Sequence, residues 1–533
     1  MTRKLLIKTA SILLLLSMLL ALAVSCGGSE TDTQKPSTTT TPTTNSQDPS
    51  NPNPTDTTPT TNAPQIPNKY PVQLESIQED LEDTIVQFVY VEGASGTYTA
   101  DSIWIDESTA GEIDAVDQQT IDRNNRVYED LGVTIEAFTD PTLGIGGLQA
   151  FAKTYFDVQD PGLDVYAGYQ YYDLKVALTG NLLNLNTIVN ENRETVIDIS
   201  QPYWATNYIN SITYNDLLFW VTGDLSLRYT GGLYCTFVNL DLYDMYVKNN
   251  YDGKSIYDIV NEKKWTMQTM LDMADMVDDD TDGNGAASAG DRLGIVFEPS
   301  DGLDGLAFGC KISFSSKSTT AGKDTISISL NTDKKAVKFA DYINTMWKSL
   351  YAYEVPEADS ANMMPIFANG SALFAFNKIY QASVYLSDME RFAIIPTPML
   401  DESQGEYGSG AHDGLTIFGI SRYSNCPLAS AAALELMAYY GSLLVTPTYV
   451  NSVLKGSETI HDPESIAMID LIRRGFDSDF VAAWSNSINN IVHIFRTFGN
   501  VSKFSSYIKA NSRTWPSALT DLLSELERVA SEQ

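Results

Sequence analysis

The sequence predicts an α/β protein built from more than one lobe, and three observations carry that prediction. Between residues 84 and 180, apolar strand patterns alternate with helical ones, the order that lays down a parallel sheet covered by helices. About 450 residues follow a polar N-terminal region, too many for one hydrophobic core. At residues 212–240 the composition shifts to β-branched and aromatic side chains broken by turn pairs, as at an exit from a first lobe.

In chain order, TIVQFVYVE at 84–92 reads as a strand buried on both faces. A helix from Glu112 to Leu131 places Val116, Thr120, Val127 and Leu131 on one face and stops at Gly132. Strands at Val133–Phe138 and Leu163–Gly168 follow, with helical runs at 147–157 and 171–179, the second ended by Gly180. Ligands on such sheets bind beyond the carboxyl ends of strands. The 212–240 stretch carries turn signals at Asn215-Asp216, Gly223-Asp224 and Gly231-Gly232, and reads as strands and turns. A second lobe takes the helices at 265–277 and 334–350 and the strand at 372–376. FAIIPTP at 392–398 is a strand that breaks at Pro396, suited to a return crossing. The Ala429–Tyr440 helix is apolar almost all round and hence buried. Helices at 463–474 and 515–530 finish the chain, and no internal repeat occurs.

The stretch 265–294, WTMQTMLDMADMVDDDTDGNGAASAGDRLG, is the most clearly punctuated. Thr266 is placed to cap a helix whose buried face is Met267, Met270, Leu271, Ala274 and Val277, with Trp265 stapling against Met270. Asp278, Asp280 and Asp282 alternate ahead of Gly283, the opening of a calcium loop, but the twelfth position is Ala289, and Asp291 is the nearest substitute for the bidentate Glu. A solvated acidic turn, its Asp side chains capping local backbone, accounts for the same residues without a metal.

This helix start, acidic turn and DRLGI strand entry resemble the extracellular solute-binding proteins of family 1, lipoprotein receptors of ABC importers for sugars. FVNLDLYD (237–244), MPIFANGSALFAF (364–376), FAIIPTPMLDESQGEY (392–407) and ALELMAYYGSLLVTPTYVNSVL (433–454) agree with it in order and spacing, and together cover most of the chain after residue 80. The resemblance implies a two-lobe periplasmic-binding-protein-like fold of type II, with an interlobe cleft and discontinuous lobes. Lobe one would take 82–220 and 395–445, lobe two 221–394 and 446–533.

Arg3, Lys4 and Lys8 precede an apolar run from Ala10 to Val24 and then Ser25-Cys26, a signal peptide over 1–25. Ala23-Val24-Ser25-Cys26 resembles a lipobox, with lipid on Cys26; ordinary secretion is the alternative. Residues 29–68 are mostly Thr, Pro, Asn, Ser and Asp and cannot bury enough surface to order, so 26–68 is expected to be a disordered tether. Cys235, Cys310 and Cys426 show no metal-ligand spacing; they are three thiols, or one disulfide and one thiol.

A net charge of −34 argues against nucleic acid and favours a neutral or cationic ligand. Standard catalytic and nucleotide signatures are missing, and His412 beside Asp413 reads as a loop residue. No enzyme activity and no cofactor, calcium apart, is expected.

Sugar recognition uses aromatic faces, carboxylates, amides and arginine. Tyr169 and Tyr171 follow a strand end, Asp224 and Tyr229 lie at the first crossing, and Asp301 and Asn377 follow strands in the second lobe. Trp484 sits in a loop-rich C-terminal region, and Trp204 in SQPYWA looks like the family's aromatic stretch before the first crossing. These eight are the expected ligand residues. The chain thus reads as a monomeric, lipid-anchored extracytoplasmic receptor that closes around a sugar or oligosaccharide and serves ABC permease subunits. A surface glycan hydrolase or lyase, and a non-transport adhesion lipoprotein, are the competing readings; a peptide or polyamine is the variant ligand.

Overall fold

Two sheets organise the chain. In the computed structural model the described residues are 71–74, 77, 81, 83–90, 103–105, 113–138, 146–411, 414–453, 463–497 and 504–532. The first sheet centres on β1 (Ile85–Tyr90), flanked in parallel by β2 (Thr134–Phe138) and β3 (Val165–Tyr169). Its fourth member, β11 (Thr416–Ile420), arrives late in the chain and pairs antiparallel with β3, giving the order β11-β3-β1-β2. The helix expected before β2 is α1 (Ala115–Leu131); Glu112 lies outside the described residues. Asp114 and Asp117 close a capping box at its start, and Gly132, at φ 68°, accepts the left-handed turn that ends it. A second helix, α2 (Leu148–Phe156), precedes β3.

The second sheet has β4 (Tyr234–Asn239) antiparallel to both β9 (Ala372–Lys378) and β10 (Phe392–Ile395). β5 (Leu293–Phe297) runs parallel to β9 and to β8 (Ala352–Glu354), so the order is β10-β4-β9-β5-β8. Strands β4, β5, β9 and β10 are buried along their whole length, which is why they read as unbroken apolar runs. A hairpin, β6 (Ser315–Thr320) with β7 (Lys323–Ile328), belongs to neither sheet and was not foreseen from sequence.

The helical run expected at 171–179 is present as Gln170–Asp173 and Leu174–Thr179, ended by Gly180, but over 212–240 the chain differs from its expected strand character. Only β4 is a regular strand there. The rest is the end of α3 (Thr206–Ile212), a helical turn at Arg228–Gly231 and isolated bridges such as Trp204 with Gly223 and Val221 with Phe418. The β-branched and aromatic residues of this stretch are buried as single contacts between elements, so their composition mimics that of strands without a ladder.

The α4 helix (Met267–Asp275) has the expected cap: the Thr266 side chain accepts from the Thr269 amide. Trp265 is fully buried, 5.1 Å from the Phe374 ring, and donates from its indole to the Pro396 carbonyl at 2.8 Å, so it ties α4 to the end of β10. Further along are α5 (Pro299–Gly309), α6 (Lys334–Lys348) and α7 (Pro427–Tyr440). The last packs against β1 and β11 and continues through a π-turn at Gly441–Val445 into Thr446–Val453. Then α8 (Pro463–Arg474) packs on β10, returning the chain to the second sheet, and α9 (Thr514–Ala530) closes it.

Candidate functional site

A cavity of about 420 Å³ opens between α8 and the segment Pro202–Asn207. One wall therefore belongs to a helix on the second sheet, and the other to residues tied to α7 on the first. Asp224 stands at its base, buried, where its amide donates to the Tyr203 carbonyl at 2.9 Å. This approach needs Gly223, since a methyl there would overlap the Tyr203 carbonyl and crowd Trp204. One Asp224 oxygen accepts from Thr446 Oγ1 at 2.8 Å and from Arg473 Nη2 at 2.6 Å. The Arg473 guanidinium lies 5.2 Å from the Tyr229 ring centre, and its Nε is buried without an acceptor. Tyr229 and Tyr208 both pack on Phe476, at 5.8 and 5.4 Å. Burial pushes the Tyr229 phenol up to about 12, with Arg473 working in the opposite direction. Asp470 and Arg474, both exposed on α8, complete the charged rim.

Behind the opposite wall lies Glu435, 0% exposed in the otherwise apolar α7. One carboxylate oxygen accepts from Tyr203 Oη at 2.6 Å and Gln73 Nε2 at 3.2 Å. The other accepts from Trp204 Nε1 at 3.0 Å and the Asp198 amide at 3.1 Å. Burial raises its pKa to about 7 against these donors.

Three expected residues, Trp204, Asp224 and Tyr229, thus share one cavity; the other five lie elsewhere. Tyr169 ends β3 with its ring 4.6 Å from the Arg228 guanidinium. Tyr171 donates to Asn490 Oδ1 at 3.0 Å, stacks with His493 at 6.0 Å, and accepts at its carbonyl from Asn486 Nδ2, so the C-terminal segment covers this strand end. Asp301 pairs with Lys378 Nζ at 2.7 Å and accepts from Tyr234 Oη at 3.4 Å at the end of β9. Asn377 lies within β9 rather than after it, buried, and accepts from the Lys378 amide at 2.8 Å. Trp484 is 3% exposed, stacked on Phe480 at 5.9 Å in the core and not in an open loop.

Next to Tyr169, Asp173 is buried and accepts from Tyr166 Oη at 2.9 Å and the Tyr169 amide at 2.7 Å. Burial raises its carboxyl to about 6, above the roughly 3.9 of an unfolded Asp. The folded state therefore holds this proton more tightly. Its stabilising contribution is complete below about pH 4 and is lost as pH rises through 6, on the order of 3 kcal/mol in all. Asp173→Asn should flatten that part of the dependence, read from urea midpoints at pH 4.5 and 7.

In the acidic turn, Asp280, Asp282 and Asp291 bring carboxylate oxygens within 4.8 Å of one another, while Asp278 stands outside the group. All three accept local donors: Asp280 from the Asn284 and Gly285 amides, Asp282 from Asn284, and Asp291 from Thr281 and Ser288. Cys235, Cys310 and Cys426 are free thiols, the first two buried and the third half-buried. Cys26, His412 and Asp413 lie outside the described residues.

Sequence reasoning missed Arg473, Phe476 and Glu435. An arginine in the last turn of a helix matches a dipole-complementing surface residue, so Arg473 carried no separate signal. Glu435 did carry one: a lone carboxylate in a run of Ala and Leu has to find donors or be expelled.

No protein-family model matches the chain, and no curated protein matches it. Solved structures do match. The sugar-binding protein MalE from Xanthomonas citri superposes with a TM-score of 0.55 at 12% identity, over 83% of this chain and 99% of that one. The galacto-N-biose/lacto-N-biose I-binding protein of the ABC transporter from Bifidobacterium longum gives 0.52 at 10% identity, over 83% and 98%. A cyclo/maltodextrin-binding protein complexed with maltotetraose gives 0.50 at 13% identity, over 84% and 97%. These neighbours are binding proteins, and the likeness runs over 97–99% of their length: the chain shares their two-lobe α/β fold.

Proposed function

We propose that this protein is the extracytoplasmic, substrate-binding lipoprotein of an ABC importer, anchored through Cys26, and that it closes its lobes around a sugar or oligosaccharide and delivers it to the permease. The observation that supports this best is the cavity between α8 and Pro202–Asn207, with aromatic residues on one side and Asp470, Arg473 and Arg474 on the other. A ligand there touches elements of both sheets, so its affinity for the closed arrangement shifts the population toward closure. The volume lies within the range of small-ligand pockets, roughly 300–1,000 Å³. The reading takes lobe one as 82–220 with 395–445, lobe two as the remainder from 221, and the receptor as a monomer that performs no covalent chemistry.

A thermal-shift screen of residues 69–533 against mono- and oligosaccharides, peptides and polyamines tests it. A sugar at a hundred times its Kd adds about 2.7 kcal/mol and raises the midpoint by a few degrees. Asp470→Ala removes an exposed, charge-assisted hydrogen bond to the ligand; the affinity for that sugar should fall about tenfold with the melting temperature of the free protein unchanged. If sugars leave the midpoint where it was, or come back cleaved, the receptor reading fails.

A further inference from the structure

Glu435 is the one carboxylate in the otherwise apolar α7. A buried carboxylate costs several kcal/mol unless its lone pairs are filled, and here four donors fill them, donors that an apolar side chain at this position would leave without an acceptor. The donors that fill them are specific. Two of the four, Tyr203 Oη and Trp204 Nε1, belong to side chains of the cavity wall. Their only polar side-chain atoms are thereby turned into the protein, and what these two side chains, 4% and 2% exposed, offer the cavity is a narrow strip of ring carbon. Hydroxyl recognition falls to the α8 side and to Asn207 on the same segment.

We propose that Glu435 is a positioning residue for the cavity: ionised, it fixes Trp204 and Tyr203 as an apolar platform, and protonation loosens that platform, so that the ligand is held at neutral pH and given up in acid. The inference rests on the receptor reading of the cavity. The chemistry is a count of donors and acceptors. The carboxylate faces four hydrogen-bond donors and needs no donor of its own. The protonated acid brings an O–H into that ring of donors, so one bond must break or Tyr203 must turn to accept.

The surroundings are compatible with titration. From the segment before α3, Asp198 contributes its amide as donor and its carboxylate as a like charge, itself bonded to Ser200 and Gln201. From the 72–74 turn comes the neutral Gln73 amide. Tyr439, one turn further along α7, packs on Tyr203 at 5.8 Å. No cation donates to Glu435 among the described residues, and burial already holds its pKa near 7. None of the residues lining the cavity is a histidine.

The test is the affinity for whichever sugar the screen identifies, measured by calorimetry from pH 5.5 to 8 on wild type, Glu435→Gln and Asp173→Asn. Glutamine is isosteric with the protonated acid. Wild type should bind about tenfold more tightly at pH 8 than at 5.5, equivalent to a one-unit fall of the Glu435 pKa on binding. Glu435→Gln should bind at every pH as wild type does at 5.5, and Asp173→Asn should keep the wild-type slope. A flat wild-type profile overturns the inference even if Glu435→Gln does not fold. So does a variant that melts lower but keeps wild-type affinity and slope, since that is a purely structural role. If wild type binds no sugar at any pH, the receptor reading itself has failed, which is a separate result.

Discussion

Asp224→Ala should destabilise the protein by about 3–5 kcal/mol, because it leaves the Arg473 guanidinium in the protein with its charge unpaired. Asp224 is 3% exposed and a single oxygen takes both Thr446 and Arg473, so one substitution removes two bonds and the counter-charge together. Arg473 is only partly covered, with 20% of its side chain exposed, and it can recover some hydration through the cavity; this keeps the expected loss nearer the lower end. Urea denaturation at neutral pH gives the value directly. Adding Arg473→Met to Asp224→Ala should return most of the loss, since the second change removes the orphaned charge and leaves the methylene stem's packing on Tyr229. A single-variant loss below 1 kcal/mol would mean that the pair is solvated and not structural.

The second large effect is expected at Gly441, where α7 passes into its π-turn. A methyl on this residue would overlap the Asp224 carbonyl oxygen and lie 3.4 Å from the Leu225 amide nitrogen. The backbone itself is helical, φ −56° and ψ −44°, a conformation in which alanine is favoured over glycine by about 1 kcal/mol. Any destabilisation of Gly441→Ala is therefore steric and has overcome that gain. Both sides of the contact are backbone, so neither can rotate away, and a loss of about 3 kcal/mol is expected from the same urea titration. Because the displaced residue is Asp224, on the receptor reading proposed above ligand affinity should fall in parallel, whereas an ordinary core overpacking variant would lose stability alone.

How much of this was legible in the sequence follows from how far apart the cooperating residues lie. Elements whose signal is local were readable: the Asp114 to Gly132 helix, the Thr266 cap and the late helices at 463–474 and 514–530 sit close to where periodicity and caps put them. The hairpin Ser315–Ile328 was not, since the burial pattern of β6 is exposed after its first residue and offers no apolar alternation. Of the 212–240 segment β4 was legible as a strand, but not the part ahead of it, where buried aromatic residues pack without a ladder. At the candidate site, a strand-end or crossing argument singled out Asp224, Tyr229 and Asn377, and a likeness to the family's aromatic stretch singled out Trp204. Asn377 lies within β9, opposite Cys235 of β4, rather than after the strand, and Trp484, expected in a loop-rich region, stacks on Phe480 in the core. Arg473 meets Asp224 across 249 residues of chain, and nothing local announces such a pair.

The helix that carries Glu435 has a further consequence before the fold exists. Pro427–Val453 spans 27 residues and is long and apolar enough, by length and composition, to cross a membrane, although in the folded protein it is mostly buried. A chain that is exported unfolded presents this stretch to the translocation channel, where sufficiently apolar segments partition sideways into lipid and stop. An acidic side chain near the middle of such a segment opposes that step by about 3 kcal/mol on the scale measured for Asp. Glu435 is the ninth of the 27 residues, a third of the way along, so on the proposed export route the group that later anchors Trp204 and Tyr203 opposes retention of the chain in the bilayer by a fraction of that value.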